Sequence, residues 1–244
     1  MDSWREGLRG ILRGICGLLY PRGANCLCCG DPRRASEEDC LCDVCRRALA
    51  EKKVPPGACP RCLSPLKKNK PCSFCSSPLM KPIERVYAPY RYAGEVRRLI
   101  HAFKFEACGE ALPLLSSAMA EALPDRGFDC LVPVPLHPKR LRRRGYNQAA
   151  LLCEALSEHT GIPTEACLER TRYGRPQSLT AAKGRGKNVE RAFRALPRAQ
   201  GKRILLIDDV RTTGSTAHAC ADALLKAGAE SVSLCVCAVV YRKK

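Results

Sequence analysis

One stretch near the C-terminus constrains the fold more than any other part of the chain. It begins with Ile204-Leu205-Leu206-Ile207, four apolar residues bounded by charge, which are too few for a helix and predict a buried parallel strand. Asp208 and Asp209 end this strand, and a hydroxyl-rich turn follows. The segment from Ala217 to Ala227 then has the pattern of a helix closed by Gly228. The order of strand, acidic pair, turn and helix predicts an open α/β sheet.

The turn after the acidic pair is the predicted ligand site. Ligands of open parallel sheets bind outside the carboxyl ends of the strands, so the turn would present backbone N–H groups at a helix N-terminus, where a phosphate is favoured. Gly214 allows close approach of the backbone. Hydroxyl groups supply further donors at Thr212, Thr213, Ser215 and Thr216. An ordinary strand, turn and helix without a ligand is the alternative.

These residues resemble the phosphoribosyl-pyrophosphate (PRPP) signature of type I phosphoribosyltransferases. The resemblance implies that Thr212 to Thr216 hold the 5′-phosphate of PRPP. It also implies that Asp208 and Asp209 bind the ribose hydroxyls, directly or through Mg²⁺, which prefers oxygen ligands. In such enzymes pyrophosphate leaves C1′ and a nitrogen nucleophile arrives, so the site must stabilise charge and exclude water. No residue in the sequence marks the acceptor.

Four Cys-x-x-Cys pairs lie within fifty residues of the N-terminal third. Twelve residues separate the first two pairs and nine separate the last two, and these lengths match zinc ribbons, in which each pair contributes two thiolates to a tetrahedral Zn²⁺. The predicted ligands are Cys26, Cys29, Cys42, Cys45, Cys59, Cys62, Cys72 and Cys75. Sequential pairing needs the shortest loops, and a cross-braced pairing of the first pair with the third is the alternative. Cys28 and Cys40 are spare and could replace a neighbour.

The composition of the chain indicates the redox state of its compartment and the class of its partners. The chain has eighteen cysteines, and their paired spacing favours structural zinc in a reducing cytosol, about two ions per chain, over a disulfide framework. A formal net charge of +18 should attract polyanions, either phosphorylated small molecules or nucleic acid. No apolar run approaches the ~18–20 residues of a membrane span. Residues 1–25 predict an amphipathic helix and not a signal peptide.

A basic run follows the strand that Cys130 to Pro135 predicts. It ends where a helix is predicted from Asn147 to His159, and it contains the five cations Lys139, Arg140, Arg142, Arg143 and Arg144. If this loop faces the same sheet edge as the turn, Lys139, Arg140 and Arg144 would flank a pyrophosphate from the opposite side. The alternative is a solvated or nucleic-acid-binding run.

Three other segments carry expectations about the site. Residues 171–194 predict a mobile loop in which Lys183, Arg185 and Lys187 are available for a phosphate. Lys104 follows the apolar face of a predicted helix, where it either belongs to a solvated face or reaches a phosphate. The alternating segment from Val86 to Tyr92 predicts a strand in a small subdomain over the active site.

Three motifs in order narrow the resemblance to one family. They are the Cys-x-x-Cys pairs, the segment Val132-Pro133-Val134-Pro135-Leu136-His137-Pro138 with Arg140-Leu141-Arg142 and Arg144-Gly145-Tyr146-Asn147-Gln148, and Asp208-Asp209-Val210 with Thr212-Thr213-Gly214-Ser215-Thr216. Together they resemble the ComF family of bacterial double-zinc-ribbon, phosphoribosyltransferase-like proteins linked to natural competence and uptake of single-stranded DNA. Thr180 departs from a usual leucine, and Gly184 and Gly186 replace longer residues, so loop closure is the weakest part of the resemblance.

The resemblance implies an α/β fold, in which a type I phosphoribosyltransferase-like parallel sheet flanked by helices follows a small double zinc ribbon. The predicted parts are an N-terminal helix over residues 1–25, zinc ribbons over 26–82 and the transferase-like domain over 83–244. The implied function is PRPP binding, with transfer to an unknown acceptor and a link to DNA uptake. The alternative is a non-catalytic, PRPP-sensing or single-stranded-DNA-associated adaptor that works with competence proteins.

Overall fold

The computed structural model of the chain describes residues 25–32, 40–68, 70–105, 108–123, 127–171 and 192–241. The helix predicted over residues 1–25 lies outside these ranges, apart from Asn25. The predicted phosphate-binding residues Lys183, Arg185 and Lys187 also lie outside them.

A parallel sheet forms the centre of the protein, in the order β1, β7, β6, β3, with β2 beside β1 on the same edge of β7. Its strands are β1 (Val86–Tyr87), β2 (Tyr90–Arg91), β3 (Cys130–Pro133), β6 (Arg203–Arg211) and β7 (Ser231–Val239). Two further strands, β4 (Leu168–Arg170) and β5 (Phe193–Ala195), form a separate antiparallel pair. The predicted α/β fold with a parallel sheet flanked by helices is confirmed.

Helices cover both faces of the sheet, which is why β6 reads as a continuous apolar run. The six α-helices of the described residues are α1 (Asp43–Ala50), α2 (Gly94–Phe105), α3 (Cys108–Glu121), α4 (Pro138–Arg144), α5 (Gln148–Thr160) and α6 (Ser215–Lys226). Leu205 and Ile207 of β6 pack in the cluster formed by α2, α3 and α5, whereas Ile204 and Leu206 pack in the cluster beneath α6. This alternation follows from the two-residue period of a strand.

The two cysteine-rich segments lie on opposite faces of this sheet. Cys26, Cys42 and Cys45 belong to the hydrophobic cluster of α2 and α3. Cys59 and Cys62 belong to the cluster beneath α6. Both segments are therefore built onto the core of the sheet, and the domain boundary predicted between residues 82 and 83 stays a prediction.

The structure corrects the predicted end of the central strand. The sequence predicted that Asp208 and Asp209 end the strand, but β6 continues to pair with β7 as far as Arg211. The shorter strand β3 ends with Pro133 beside Ile207, so the acidic pair extends one step beyond its neighbour. Asp208 and Asp209 thus protrude from the carboxyl edge of the sheet on backbone that is itself hydrogen-bonded.

The single strand predicted over Val86 to Tyr92 is wrong in two respects. The segment forms β1 and β2 at the edge of the central sheet and not a subdomain over the site. Pro89 separates the two pieces because proline has no N–H group to donate to the ladder.

The basic run after β3 was predicted as a loop, but it forms α4. Pro138 occupies the first turn, and His137 Nδ1 accepts a hydrogen bond of 3.1 Å from Lys139 N. Gly145, with φ of 81°, ends the helix in the left-handed region that glycine adopts without cost. The sequence therefore carried the signals of a short helix, namely a proline in the first turn and a glycine after the last. The density of positive charge nevertheless led to the prediction of a loop.

Candidate functional site

Asp208 and the hydroxyl-rich turn line one small pocket at the carboxyl edge of the sheet. The other polar residues of its wall include Thr212 and Thr216, and Gly214 contributes backbone. The sequence placed these residues at one site, and the structure brings them together there. An anion that enters this pocket meets the start of α6.

The turn is organised by its own hydroxyl groups before any ligand arrives. Ser215 N donates to Thr213 Oγ1 over 3.3 Å, and the Thr213 and Ser215 hydroxyl oxygens lie 2.8 Å apart. Gly214 precedes α6 with φ of 80°, a conformation that L side chains rarely adopt. The first-turn N–H groups of a helix have no intrahelical acceptor, and the helix dipole favours negative charge there. The turn therefore has the chemistry of a phosphate site.

The two carboxylates of the acidic pair have different partners. Asp209 Oδ2 lies 2.8 Å from Nζ of Lys104, at the end of α2. Asp208 Oδ1 accepts a hydrogen bond of 2.9 Å from the N–H of Asp209. The solvated face considered for Lys104 is wrong, because its side chain is only 22% exposed and pairs with an acid.

Asp208 has an unusual proton affinity for an aspartate. Its burial and the adjacent Asp209 carboxylate raise its pKa to about 7, although the Asp209 N–H, Lys104 and Arg170 favour the ionised form. A neutral Asp208 cannot bind a cation well, but a metal or a positively charged neighbour would drive the proton off. Ligand binding at this carboxylate should therefore be linked to proton release.

Arg170 is a site residue that the sequence did not single out. It ends β4, and its guanidinium carbon lies 5.2 Å from the ring centroid of Phe193. Its pKa is lowered by burial and by the positive charge of Arg140, while Asp208 opposes that shift. Arg170 thus brings positive charge towards Asp208 from the end of β4. No sequence pattern marked it, because it lies just before the predicted loop.

The basic residues of α4 differ in their contacts. Arg140 is close enough to Arg170 for their charges to interact. Arg144 NH1 donates to Gln148 Oε1 over 2.9 Å, and its guanidinium lies 5.0 Å from the ring centroid of Phe105. Lys139 is exposed at the start of the helix. The pKa of His137 is lowered by desolvation and then by the positive charges of Arg170 and of the basic residues of α4.

Tyr146 and Asn147 fix α4 and α5 against the sheet. The Tyr146 hydroxyl lies within hydrogen-bonding distance of the carbonyl oxygens of Phe103 and Lys104, at 3.2 and 3.0 Å. Asn147 Nδ2 donates to the carbonyl of Val134 over 3.1 Å, while its Oδ1 caps α5. These residues therefore hold the basic helix, the end of α2 and the end of β3 in register.

The eight predicted metal ligands form two four-cysteine clusters in the sequential order. One comprises Cys26, Cys29, Cys42 and Cys45, and the other comprises Cys59, Cys62, Cys72 and Cys75, with the sulfur atoms of each within 4.8 Å of one another. The Sγ atoms lie 3.4 Å apart in Cys62 and Cys72, 3.6 Å apart in Cys59 and Cys75, and 3.9 Å apart in Cys29 and Cys42. Tetrahedral zinc with Zn–S bonds of ~2.3 Å places its sulfur atoms ~3.8 Å apart. Each cluster therefore fits a zinc ion.

Backbone N–H groups prepare both clusters for a metal. Burial alone would raise the pKa of Cys26 and Cys59, but backbone hydrogen bonds lower these pKa values to about 6 and about 7. Both clusters contain the same tight turn, in which Gly30 N donates to Cys26 O and Leu63 N to Cys59 O, each over 2.8 Å. The thiolate is the form that binds metal, so Cys26 and Cys59 are favoured as ligands, whereas burial and neighbouring cysteines raise the pKa of Cys45 and Cys75, whose protons a metal would have to displace.

The remaining cysteines near these groups have other partners. Cys28 Sγ donates to the carbonyl of Glu95 over 3.6 Å and points into α2, so it is a packing residue. Cys130, Glu165 and Cys167 also lie close together, at the start of β3. There Lys202 Nζ already lies 2.6 Å from both Glu165 oxygens, so an ion pair neutralises that carboxylate.

Comparison with known proteins gives four findings. Residues 143–244 match the sequence family described as the phosphoribosyl transferase domain. The chain is 36% identical over 214 residues to the DNA utilization protein YhgH of Escherichia coli K12, which covers 81% of this chain and 89% of that protein. It is 32% identical over 209 residues to the competence protein ComFC of Bacillus subtilis, covering 79% of this chain and 81% of that one. It is 37% identical over 110 residues to competence protein F of Haemophilus influenzae, covering 43% and 48%.

Among solved structures, the glutamine PRPP amidotransferase of B. subtilis in complex with ADP and GMP resembles 56% of this chain. The match has a TM-score of 0.41 and 19% identity, and it spans 30% of the length of that enzyme. Among the helices of the described ranges, none combines the length and apolar character needed to cross a bilayer.

Proposed function

The chain belongs to the ComF family, and from that premise we propose that its phosphoribosyltransferase-type domain binds PRPP with Mg²⁺. The observation that supports this most strongly is the shared pocket of Asp208 and the turn at Thr212 to Thr216. A carboxylate suited to ribose hydroxyls and a helix N-terminus suited to a phosphate lie at one edge of the sheet.

Each part of PRPP has a candidate partner. The 5′-phosphate would accept hydrogen bonds from the backbone N–H groups and hydroxyls of residues 212–216. Asp208 and Asp209 would accept hydrogen bonds from the ribose hydroxyls or bind Mg²⁺. Arg140 and Arg170 would lie towards the pyrophosphate, together with the predicted residues Lys139, Arg144 and Arg185. Mg²⁺ bound with PRPP supplies charge that stabilises the departing pyrophosphate.

Transfer of the phosphoribosyl group to an acceptor is the reaction that this arrangement suits. The C1′–pyrophosphate bond breaks with its electron pair on the leaving oxygen, and an acceptor nitrogen forms the new bond to C1′. The protein residues contribute by holding the leaving group among cations and by excluding water, and no covalent nucleophile is required. No described residue identifies the acceptor.

An adaptor function is the second candidate, because the net charge of +18 far exceeds what one pyrophosphate needs. The relatives named for DNA utilization and competence point in the same direction. Single-stranded DNA binding would rest on charge, since Phe74, the aromatic residue of the second cysteine cluster, packs against Gly214 and not outwards. PRPP would then act as a signal and not as a substrate.

Zinc in both clusters and a reducing, cytoplasmic location complete the proposal. The cysteines whose side chains the structure describes are free thiols, and eight of them stand in the two clusters. Thiols placed this closely persist where the surroundings are reducing or where a metal binds them. We expect about two zinc ions per chain.

Calorimetric titration tests the binding proposal directly. PRPP should bind saturably in the presence of Mg²⁺, and ribose 5-phosphate should bind more weakly. Omission of Mg²⁺ should weaken the binding of PRPP more than the binding of ribose 5-phosphate. Absence of heat with PRPP and Mg²⁺ would contradict the proposal. Release of pyrophosphate across a panel of bases and amines then separates transferase from adaptor, and binding without any release favours the adaptor.

A further inference from the structure

The second cysteine cluster is in direct contact with the turn at residues 212–216, which we call the phosphate turn. Arg211 lies between the acidic pair and the turn, and its side chain is buried, with 3% of the residue exposed. Its NH2 donates to the carbonyl of Cys62 over 3.1 Å and approaches Ser64 Oγ at 3.4 Å. A charged group of the turn segment therefore finds its acceptors in the loop of a predicted metal ligand.

Phe74 makes the second contact, and it stands between the ligands Cys72 and Cys75. Its ring centroid lies 4.3 Å from the Arg211 guanidinium carbon. The same ring lies against Gly214, where an added Cβ would stand 3.1 Å from Phe74 Cζ. Phe74 thus fills the space between Arg211 and the backbone of the phosphate turn.

The position of this ring depends on the cluster. Residues 59–75 contain few apolar side chains, so the loop that carries Phe74 relies on metal ligation for its structure. Without the metal, Phe74 would lose its support and Arg211 would lose the Cys62 carbonyl. A buried guanidinium without acceptors is unfavourable, so Arg211 and the adjoining turn would have to rearrange.

The first cluster has no such contact with the turn among the described residues. Its cysteines pack on the other face of the sheet, against α2 and α3. Cys28, inside that segment, donates to the carbonyl of Glu95 at the start of α2. The two clusters are chemically alike but differ in position, and this makes the first a natural control for the second.

We propose that the second cysteine cluster is part of the phosphate site, in which Phe74 and Arg211 are positioning residues that make the conformation of the 212–216 turn depend on zinc at Cys59, Cys62, Cys72 and Cys75. The consequence for PRPP rests on the proposed function. The consequence for the turn itself does not, because it concerns the free protein.

The first test uses the full chain with Phe74→Leu, which keeps all eight ligands, and with Phe128→Leu as the matched control. Phe128 packs against Tyr87, away from the turn, with ring centroids 6.0 Å apart. Both variants should keep about two zinc ions. Phe74→Leu should raise the Kd for PRPP about tenfold, whereas Phe128→Leu should leave this Kd unchanged. Equal PRPP affinity in Phe74→Leu and the wild type would overturn the proposal.

The second test compares Cys75→Ser with Cys45→Ser, each of which removes one ligand. Zinc content and amide hydrogen exchange of residues 207–218 are measured without PRPP. Faster exchange in Cys75→Ser than in Cys45→Ser, at equal zinc loss, supports the coupling, and equal exchange overturns it. If either serine variant does not fold, exchange in Phe74→Leu against Phe128→Leu gives the same decision. A wild type that fails to bind PRPP contradicts the proposed function but leaves this readout intact.

Discussion

Lys104 and Asp209 form an ion pair of 2.8 Å that joins the end of helix α2 to the acidic pair of strand β6. The side chains are 22% and 16% exposed, so solvent screens the pair only partly. Tyr146 hydrogen-bonds to the backbone of Lys104 and fixes its position. The free protein therefore neutralises one of its two site carboxylates with a residue of its own, where bound ligand would bring Mg²⁺.

Replacement of Lys104 should weaken PRPP binding. When a divalent cation takes over Asp209, the Lys104 ammonium becomes available to the pyrophosphate, so Lys104→Met should raise the Kd for PRPP about tenfold. Arg98→Met is the control, since Arg98 lies on the same helix and pairs with Glu95 at 3.5 Å while 56% exposed. Equal affinities of the two variants, measured calorimetrically, would show that Lys104 serves only to pair with Asp209.

Asp208→Asn should stabilise the ligand-free protein at alkaline pH. The folded-state pKa of about 7 exceeds the ordinary value of 3.8, so the native state retains a proton that the unfolded state has lost between these values. Wild-type stability should therefore fall as pH rises from about 4 to about 7, and the asparagine variant lacks this loss. The melting temperature of Asp208→Asn should exceed that of the wild type at pH 8, and the difference should shrink at pH 5.

Two controls bear on that pH prediction. The measurement is made in buffer without Mg²⁺, because a bound cation would itself ionise Asp208. Asp222→Asn, at an exposed pair with Lys226, should show no comparable gain at pH 8. A lower melting temperature for Asp208→Asn than for the wild type at pH 8 would contradict the raised pKa.

Arg140 and Arg142 offer a matched pair on helix α4. Arg140 interacts with Arg170 near the acidic pair, whereas Arg142 is exposed. Arg140→Ala should weaken PRPP binding about tenfold and Arg142→Ala should not, although both remove one positive charge. For single-stranded DNA, each variant should reduce the slope of the logarithm of the binding constant against the logarithm of salt concentration by about one. Equal losses of PRPP affinity would indicate that the summed positive charge of the surface attracts PRPP, and not that Arg140 makes a specific contact with it.

Metal content should separate the ligands from the spare cysteines. Cys29→Ser should lower the zinc affinity of the first cluster and lose one of about two ions on dialysis, because a structural zinc site is closed by four protein ligands. Cys28→Ser should keep both, because Cys28 donates to Glu95 and is not a ligand. Retention of two ions by Cys29→Ser, measured by atomic emission, would contradict the ligand set.

The sequence predicted the parts of the site that are local in the chain. The run from Ile204 to Thr216 places a strand, two acids and a hydroxyl-rich turn within thirteen residues, so the order of these features was predictable although the end of the strand was not. The two cysteine clusters were predictable for the same reason, since ligand spacing is a property of one short segment. The sequential order of the clusters was the arrangement with the shortest loops.

The remaining features depend on contacts between distant segments. The Lys104–Asp209 pair joins residues 105 positions apart, and no pattern near Lys104 indicates its partner. Arg170 enters the site through β4, a three-residue strand too short to show a period. The packing of Phe74 on Gly214 joins two motifs that were predicted separately, as ribbon and as phosphate turn.

The most direct test of the account is the change in melting temperature that PRPP and Mg²⁺ produce in the wild type and in the double variant Asp208→Asn, Asp209→Asn. Ligand that binds only the native state raises its melting temperature by mass action, so the wild type should show a saturable increase with PRPP concentration. The double variant should fold and show no increase. An equal increase in both proteins would contradict the assignment of the acidic pair and the turn as the PRPP site.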